Sequence, residues 1–361
     1  MTNFNSRINY DYLKITKEIP LLINLNMLPK KKKGRNKIKK DILIINCSLI
    51  GDFLISLPAL TQFLSNLNIK ADLVVSPILK DLAKHLKYAN NVYTLPSLYQ
   101  REIEKGDIDN QINGHYKQVI VIRTSKNVSS LIQSISYDNL AYYFGDYFRY
   151  GVSLAKSLSK KEGVWQWEDV NYNFLGVKKE NILFFDDIFD FNDKEKVEST
   201  RYVSDNKVIV IHTGSGWFVK LWSNNKWVNL LKKINKNSNY NFIFLGGTEK
   251  EKKDYAYISK KLPFNTKSII GMNLEKVAPI MRQCDYFLGV DSGPRHIAHL
   301  LNMPSIILLG PGPKNFSPQD RNAAYIDKSD CWCTNLFCYR KKPCVNKITV
   351  KEVYSEWIRL S

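Results

Sequence analysis

Three short segments combine residue types and spacing suited to chemistry on a phosphorylated or hydroxyl-bearing ligand. The first is Ile45-Asn46-Cys47-Ser48-Leu49-Ile50-Gly51-Asp52. An apolar run ends there in a tight turn, and an amphipathic pattern follows. A carboxylate at that place serves either as a helix cap or, at the carboxyl end of a strand, as a general base. The second is His212-Thr213-Gly214-Ser215-Gly216-Trp217-Phe218-Val219-Lys220. Loops of this kind let backbone N–H groups and a Lys surround phosphate oxygens. It is not a P-loop, because G-x-x-x-x-G-K-[ST] is absent, and an ordinary glycine turn with a surface Lys fits the same residues.

The third segment is Asp291-Ser292-Gly293-Pro294-Arg295-His296. Pro294 suits a first helical turn. The N–H groups of Ser292 and Gly293 would then face an anion, assisted by the helix dipole. A capped helix start is the plainer reading, and His296 fits a helix surface equally well. A further glycine turn, Gly310-Pro311-Gly312-Pro313, follows the next apolar run.

Other clusters are weaker. Cys331, Cys333, Cys338 and Cys344 lie within 14 residues, but C-x-C-x4-C-x5-C departs from the usual zinc pairs. Reduced structural thiols are the preferred reading, and no metal is expected. Eight of the eleven residues from Lys30 to Lys40 are basic, which fits a solvated tail or a segment that adheres to an anionic membrane surface. Arg123 and Lys126 follow a strand and are candidate contacts for an acidic acceptor, or simply solvated surface.

These segments need strands to end where they begin. Strands are predicted at 41–47, 72–76, 118–123, 207–212, 241–245, 267–270, 286–290 and 305–309, most of them nearly continuous apolar runs. Such runs suit parallel strands covered on both faces. Helical spacing fills the gaps: Leu57, Leu60, Leu64 and Leu67; Trp227, Leu230, Leu231 and Ile234 after Ser223; Leu274, Val277 and Met281. Thr349 and Glu352 form a capping box ahead of a last helix. The alternation breaks between about 140 and 206. The expected class is therefore α/β, with two Rossmann-like doubly wound domains and a cleft between them. The expected divisions are a basic extension over 1–40, an N-terminal domain over 41–180, a linker over 181–206, a C-terminal domain over 207–348 and a helix over 349–361.

Composition bounds the rest. The 361 residues are 44% hydrophobic and 12% aromatic, enough for two cores. The formal charge is +19, of which the first forty residues supply +9. The chain is rich throughout in Lys, Asn and Ile, so the excess is discounted as evidence for nucleic acid. No RNP pattern, C2H2 finger or GxxG clamp is placed, which leaves a basic nucleic-acid-binding protein as the alternative of another class. No stretch approaches the roughly 18–20 apolar residues of a transmembrane helix. Ile19 to Leu28 is short, interrupted by Pro20, Asn24 and Asn26, and followed rather than preceded by its basic block, unlike a signal peptide. The expected location is cytoplasmic, with a peripheral hold on the inner membrane through residues 30–40.

In order, the segments resemble glycosyltransferase family 9, the heptosyltransferases. The likeness runs from about residue 41 to 357. Ser48-Leu49-Ile50-Gly51-Asp52 through Leu57-Pro58-Ala59-Leu60 is similar to the family's opening motif, and His212 to Lys220 with Trp222 to its phosphate loop. Leu245-Gly246-Gly247 resembles the ribose-binding turn, which offers both Glu249 and Glu251 with Glu249 preferred, and Met272-Asn273-Leu274-Glu275 resembles the segment against adenine. Asp291-Ser292-Gly293-Pro294-x-His296 and Gly310-Pro311 complete the likeness, and the cysteine cluster has a counterpart. Asn46 stands where the family usually has Lys or Arg, and Leu49 where it often has Ser.

The resemblance implies a GT-B fold, two facing Rossmann-like domains with donor on the C-terminal one and acceptor on the other. It implies inverting, metal-independent transfer of heptose from ADP-heptose to the lipopolysaccharide inner core or a related anionic glycan. Asp52 would be the base and Lys220 would stabilise the leaving phosphate. Thr213, Gly214, Ser215, Gly216, Glu249, Met272, Asp291, Ser292, Gly293 and His296 would hold the donor, and Ser48, Arg123 and Lys126 the acceptor. No cofactor is expected. Another sugar nucleotide, a capsule or other glycan acceptor, or a binding-only relative are the nearest alternatives.

Overall fold

A computed structural model describes residues 22–24, 39–96, 112, 114–123, 126–143, 167–179, 182–203, 206–236, 239–311, 322–328 and 343–361. The chain divides into two compact units: Met1–Ile182 with Asp187–Phe189, and Leu183–Asp186 with Asp190–Ser361. The chain thus passes between them more than once within the acidic stretch that the sequence marks as a linker. That stretch carries two short helices, Phe185–Ile188 and Asp193–Thr200. The second begins at a capping box in which the Asn192 side chain accepts from Glu195 N–H and the Glu195 carboxylate accepts from Asn192 N–H.

The N-terminal unit holds a six-stranded sheet of β1 (Leu22–Asn24), β2 (Lys39–Asn46), β3 (Ala71–Val75), β4 (Ala89–Thr94), β5 (His115–Arg123) and β6 (Ser136–Tyr143). Its order is β1-β6-β5-β2-β3-β4, parallel except for β1 on β6. Its helices include α1 (Ile50–Leu67), α2 (Lys126–Ser134) and α3 (Trp167–Leu175). Helix α1 turns Phe53, Leu54, Leu57, Leu60 and Leu64 inward, all buried, as the leucine spacing predicts for all but Leu67, which ends the helix 49% exposed.

The C-terminal unit holds an all-parallel sheet of β7 (Val208–His212), β8 (Asn241–Phe244), β9 (Lys267–Ser268), β10 (Tyr286–Val290), β11 (Ser305–Leu309) and β12 (Ala323–Asp327), in the order β12-β11-β10-β7-β8-β9. Helices α4 (Asn224–Asn235), α5 (Glu249–Lys261), α6 (Leu274–Arg282), α7 (Gly293–Leu300) and α8 (Val350–Leu360) accompany it. Every residue of β7, β10 and β11 is buried, which is why these strands read as unbroken apolar runs. Ile209, Ile211, Trp227, Leu231, Leu288, Leu308 and Trp357 belong to one core cluster. The capping box at the head of α8 is present, with Thr349 accepting from Glu352 N–H and the Glu352 carboxylate accepting from Thr349 N–H.

Each unit is thus Rossmann-like, and the fold is α/β. The sequence reading missed β1, β4, β6 and β12. Strand β4 is half-exposed throughout, and β12 buries only alternate residues, so neither shows the apolar run that marks a central strand. Among the described residues no helix is long and apolar enough to cross a membrane.

Candidate functional site

In each sheet the strand order reverses about one point. In the N-terminal unit β2 continues to β3 and β4 on one side while β5 lies on the other. In the C-terminal unit β7 continues to β8 and β9 while β10 lies on its far side. Loops leaving the carboxyl ends of strands at such a point diverge and leave a crevice for a ligand. The three segments with chemical promise all leave at these two points: Cys47–Asp52 after β2, His212–Lys220 after β7, and Asp291–His296 after β10.

In the N-terminal unit Asp52 occupies the third position of α1 and is half-buried. The N-cap is Leu49, which makes no side-chain cap, so Asp52 is not the N-cap residue. The turn before it is braced from beneath. Ser48 Oγ donates to Asn46 Oδ1 at 2.6 Å, Asn46 Nδ2 to Ser56 Oγ at 2.9 Å, and Ser76 Oγ to the Ser48 carbonyl at 3.0 Å. Asn46, Ser48 and Ser56 are each at most 2% exposed. Ser48, expected against the acceptor, therefore gives its proton to the turn itself. Arg123 ends β5 and pairs across the ladder with Asn46, and Lys126 opens α2; their side chains lie outside the described residues.

The C-terminal unit brings its two loops into direct contact. Lys220, on a short 3-10 turn over Phe218–Lys220, donates from Nζ to Asp291 Oδ2 at 2.6 Å. Its ammonium also lies 4.7 Å from the centre of the Trp217 ring. Arg295 Nε donates to the other oxygen, Oδ1, at 2.6 Å. The Arg295 side chain is 1% exposed, Lys220 12% and Asp291 16%. Burial would raise the Asp291 carboxyl, but Arg295 and Lys220 outweigh it and hold it below the usual carboxylate range. Gly310, after β11, is needed for close approach: a Cβ there would lie 2.9 Å from Lys220 Cα and Cγ.

Helix α7 begins with Gly293 and Pro294, and Ser292 is its N-cap without a side-chain cap bond. Three buried polar atoms here lack a hydrogen-bond partner: Ser292 Oγ, Arg295 Nη1 and His296 Nδ1. Burial, then the Arg295 charge, push His296 well below its ordinary pKa, so it is neutral. Three orphaned atoms at a helix N-terminus, one of them on the buried Arg295, beside the half-buried Lys220 form an environment that suits an anion.

The other expected donor residues divide. Thr213 and Gly214 are buried, Ser215 is half-buried and accepts from Trp217 N–H, and Gly216 is exposed. Glu249 is 79% exposed and pairs with Lys252. It is Glu251 that reaches the 213–216 loop, because a Cβ on Gly214 would fall 1.7 Å from its Oε1. Glu251 Oε2 accepts from Gly247 N–H, Thr248 N–H and Thr248 Oγ1. Its Oε1 lies 3.8 Å from His212 Nδ1. Met272 is half-buried, and Gly271 (φ 87°) donates to the Gly246 carbonyl at 2.9 Å, which sets Met272 beside the Gly246–Gly247 turn.

Arg295 is the site residue that the sequence reading passed over. Its signal was present, since Asp291 and Arg295 stand four apart at a helix start, the spacing of a helical ion pair.

Among the described residues no group of three His, Cys, Asp or Glu could hold a metal ion. Cys344 is buried; Cys331, Cys333 and Cys338 lie outside the described residues, as do Gly312, Pro313 and residues 30–38. Lys40 Nζ donates to Asp72 Oδ2 at 2.8 Å, so the last cation of the basic run is committed to the sheet.

Comparison with known proteins agrees with this layout. A solved glycosyltransferase of family 9 from Veillonella parvula has a TM-score of 0.68 at 15% identity, covering 89% of this chain and 97% of that one. ADP-heptose lipopolysaccharide heptosyltransferase II from E. coli gives 0.66 at 17%, covering 89% and 98%. E. coli heptosyltransferase WaaC with ADP gives 0.65 at 14%, covering 89% and 100%. At these identities the likeness is one of fold. Lipopolysaccharide heptosyltransferase 1 of Campylobacter coli is 29% identical over 170 residues, 42% of this chain and 50% of that protein, so the match spans about half its length. The model of glycosyltransferase family 9 (heptosyltransferase) matches residues 145–351, more than half of the chain. The chain belongs to glycosyltransferase family 9.

Proposed function

We propose that this protein is an inverting, metal-independent glycosyltransferase that moves heptose from ADP-heptose to a lipopolysaccharide inner-core or related anionic glycan acceptor. The observation that carries the reading is the Lys220–Asp291–Arg295 cluster at the switch point of the C-terminal sheet. One buried and one half-buried cation share one carboxylate, an arrangement with a net positive charge that suits the departing diphosphate of a nucleotide sugar. That an E. coli relative of the same fold was solved with ADP, and another named for ADP-heptose, supports ADP as the nucleotide.

In this reading Asp52 takes the proton of the acceptor hydroxyl as its oxygen forms the new bond to the anomeric carbon. The bond from that carbon to the ADP oxygen breaks, its electron pair leaves with ADP, and the anomeric configuration inverts. Lys220, the N–H groups of the Thr213–Gly216 loop and the start of α7 stabilise the charge that develops on the phosphate. Protein cations thus do the work that a divalent ion does in metal-dependent transferases.

A second reading, with the same chemistry on another glycan such as a capsule, draws on Asn46. The family usually has a cation there, whereas this side chain is buried and engaged with Ser48 and Ser56. The test is a calorimetric panel of ADP, UDP, GDP and CDP, followed by transfer from ADP-heptose in EDTA with the product anomer read by NMR. Preference for ADP and an inverted product support the proposal. Preference for another nucleotide, or a requirement for metal, refutes it. The basic run over residues 30–40 is the proposed hold on the cytoplasmic face of the membrane. Co-sedimentation of the full chain with anionic vesicles, lost when those lysines are neutralised, tests it.

A further inference from the structure

Asp291 divides its two oxygens between two cations that differ in freedom. Oδ2 takes Lys220 Nζ and Oδ1 takes Arg295 Nε, each at 2.6 Å. Arg295 stands four residues on, in the first turn of α7, with its side chain 1% exposed. Its guanidinium is therefore held by packing and by its bond to Asp291. Lys220 comes from a different loop on a flexible stem, is 12% exposed, and lies over the Trp217 ring.

This difference has an energetic consequence. A Lys paired with a buried carboxylate cannot move to a ligand without stranding that carboxylate, and an unpaired buried charge is strongly unfavourable. With Arg295 already on Oδ1, Asp291 keeps a charge-assisted bond when Lys220 departs. The cluster holds two cations against one anion, so one positive charge is available to a ligand while the other stays in place.

We propose that Arg295 is a positioning residue of the donor site, holding Asp291 by itself so that Lys220 Nζ is released to the diphosphate. The proposal rests on the reading of these loops as a diphosphate site and gives a role to the one position that the motif leaves unspecified. Arg295 acts through Asp291 and not on the ligand, which separates its role from that of Lys220.

The experiment is a titration of the full chain with ADP and, separately, with inorganic pyrophosphate, for wild type, Arg295→Met, Arg295→Lys, Asp291→Asn and the corresponding double variants. Removing Arg295 locks Lys220 onto Asp291, and Arg295→Met is expected to bind either probe about tenfold more weakly. In the Asp291→Asn background there is no carboxylate to hold, and the same change is expected to alter affinity less than about twofold. Full affinity in a folded Arg295→Met protein overturns the proposal. An equal loss in both backgrounds also overturns it, because Arg295 would then touch the ligand directly. If Arg295→Met does not fold, Arg295→Lys carries the comparison. A loss of about threefold that vanishes in the Asp291→Asn background is expected, and any other pattern overturns the idea. Wild type that binds pyrophosphate but not ADP refutes the nucleotide reading while the Arg295 comparison proceeds on pyrophosphate. Wild type that binds neither overturns both.

Discussion

Lys220 and Asp291 stand 71 positions apart in the chain and form a 2.6 Å ion pair that ties the loop after β7 to the loop after β10. These are the two loops on either side of the switch point, where the fold favours a ligand, and the pair joins them. Gly310 presses on the same lysine from the loop after β11.

Lys220→Ala is expected to weaken ADP binding by about 10–100-fold and to lower the transfer rate as well, since it removes the cation proposed to meet the leaving phosphate. The fold should survive, because Arg295 still neutralises Asp291. Calorimetry with ADP and steady-state rates check this. Unchanged ADP affinity would take Lys220 out of the donor site.

Asp52→Asn is expected to lower transfer by about 10²–10⁴-fold, the usual contribution of a general base. ADP affinity should stay within about twofold, because Asp52 belongs to the N-terminal unit and the proposed donor loops to the other. Single-turnover rates at saturating donor give the first quantity and calorimetry the second. Near-normal turnover would exclude Asp52 as the base.

How far the sequence discloses this site depends on burial. Strands β10 and β11 are buried along their whole length, so their apolar runs reveal where they end and where Asp291 and Gly310 begin. Strand β6 reads Ser-Tyr-Asp-Asn-Leu-Ala-Tyr-Tyr and does not announce itself. Lys220 and Asp291 were each legible as candidates through their glycine loops, but a contact across 71 residues has no local signature. Glu249 was preferred to Glu251 although Thr248-x-x-Glu251 has capping-box spacing. That box turns Glu251 back toward the 213–216 loop and leaves Glu249 in solvent.

Stability should fall as the pH drops below neutral, in two stages. His212 and His296 are held below their ordinary pKa, first by burial. The unfolded chain therefore takes up protons from about pH 6.5 downward while the folded one resists, and stability declines with falling pH. Asp291 is lowered too, so its contribution is complete above the ordinary carboxylate value near 4 and is lost as the pH falls through the lower folded value. Melting temperatures from pH 8 to pH 3 check both stages, and His296→Asn should flatten the upper one. A melting temperature that does not change between pH 8 and pH 5 would contradict the neutral, buried state of the two histidines.

Gly214→Ala tests how tightly the loop after β7 is held against α5. The new Cβ would fall 1.7 Å from Glu251 Oε1, and that carboxylate cannot swing aside without giving up the three donors on Oε2. Either the loop or the capping box must yield, at about 1–3 kcal/mol, the usual range for overpacking. Urea unfolding should show that loss, with ADP binding weakened because the same loop faces the proposed phosphate. Pairing the change with Glu251→Ala makes the assignment specific. With the carboxylate gone the alanine has room, so the double variant should lose less than the sum of the two single losses. Simple additivity would mean that Glu251 is not what confines Gly214.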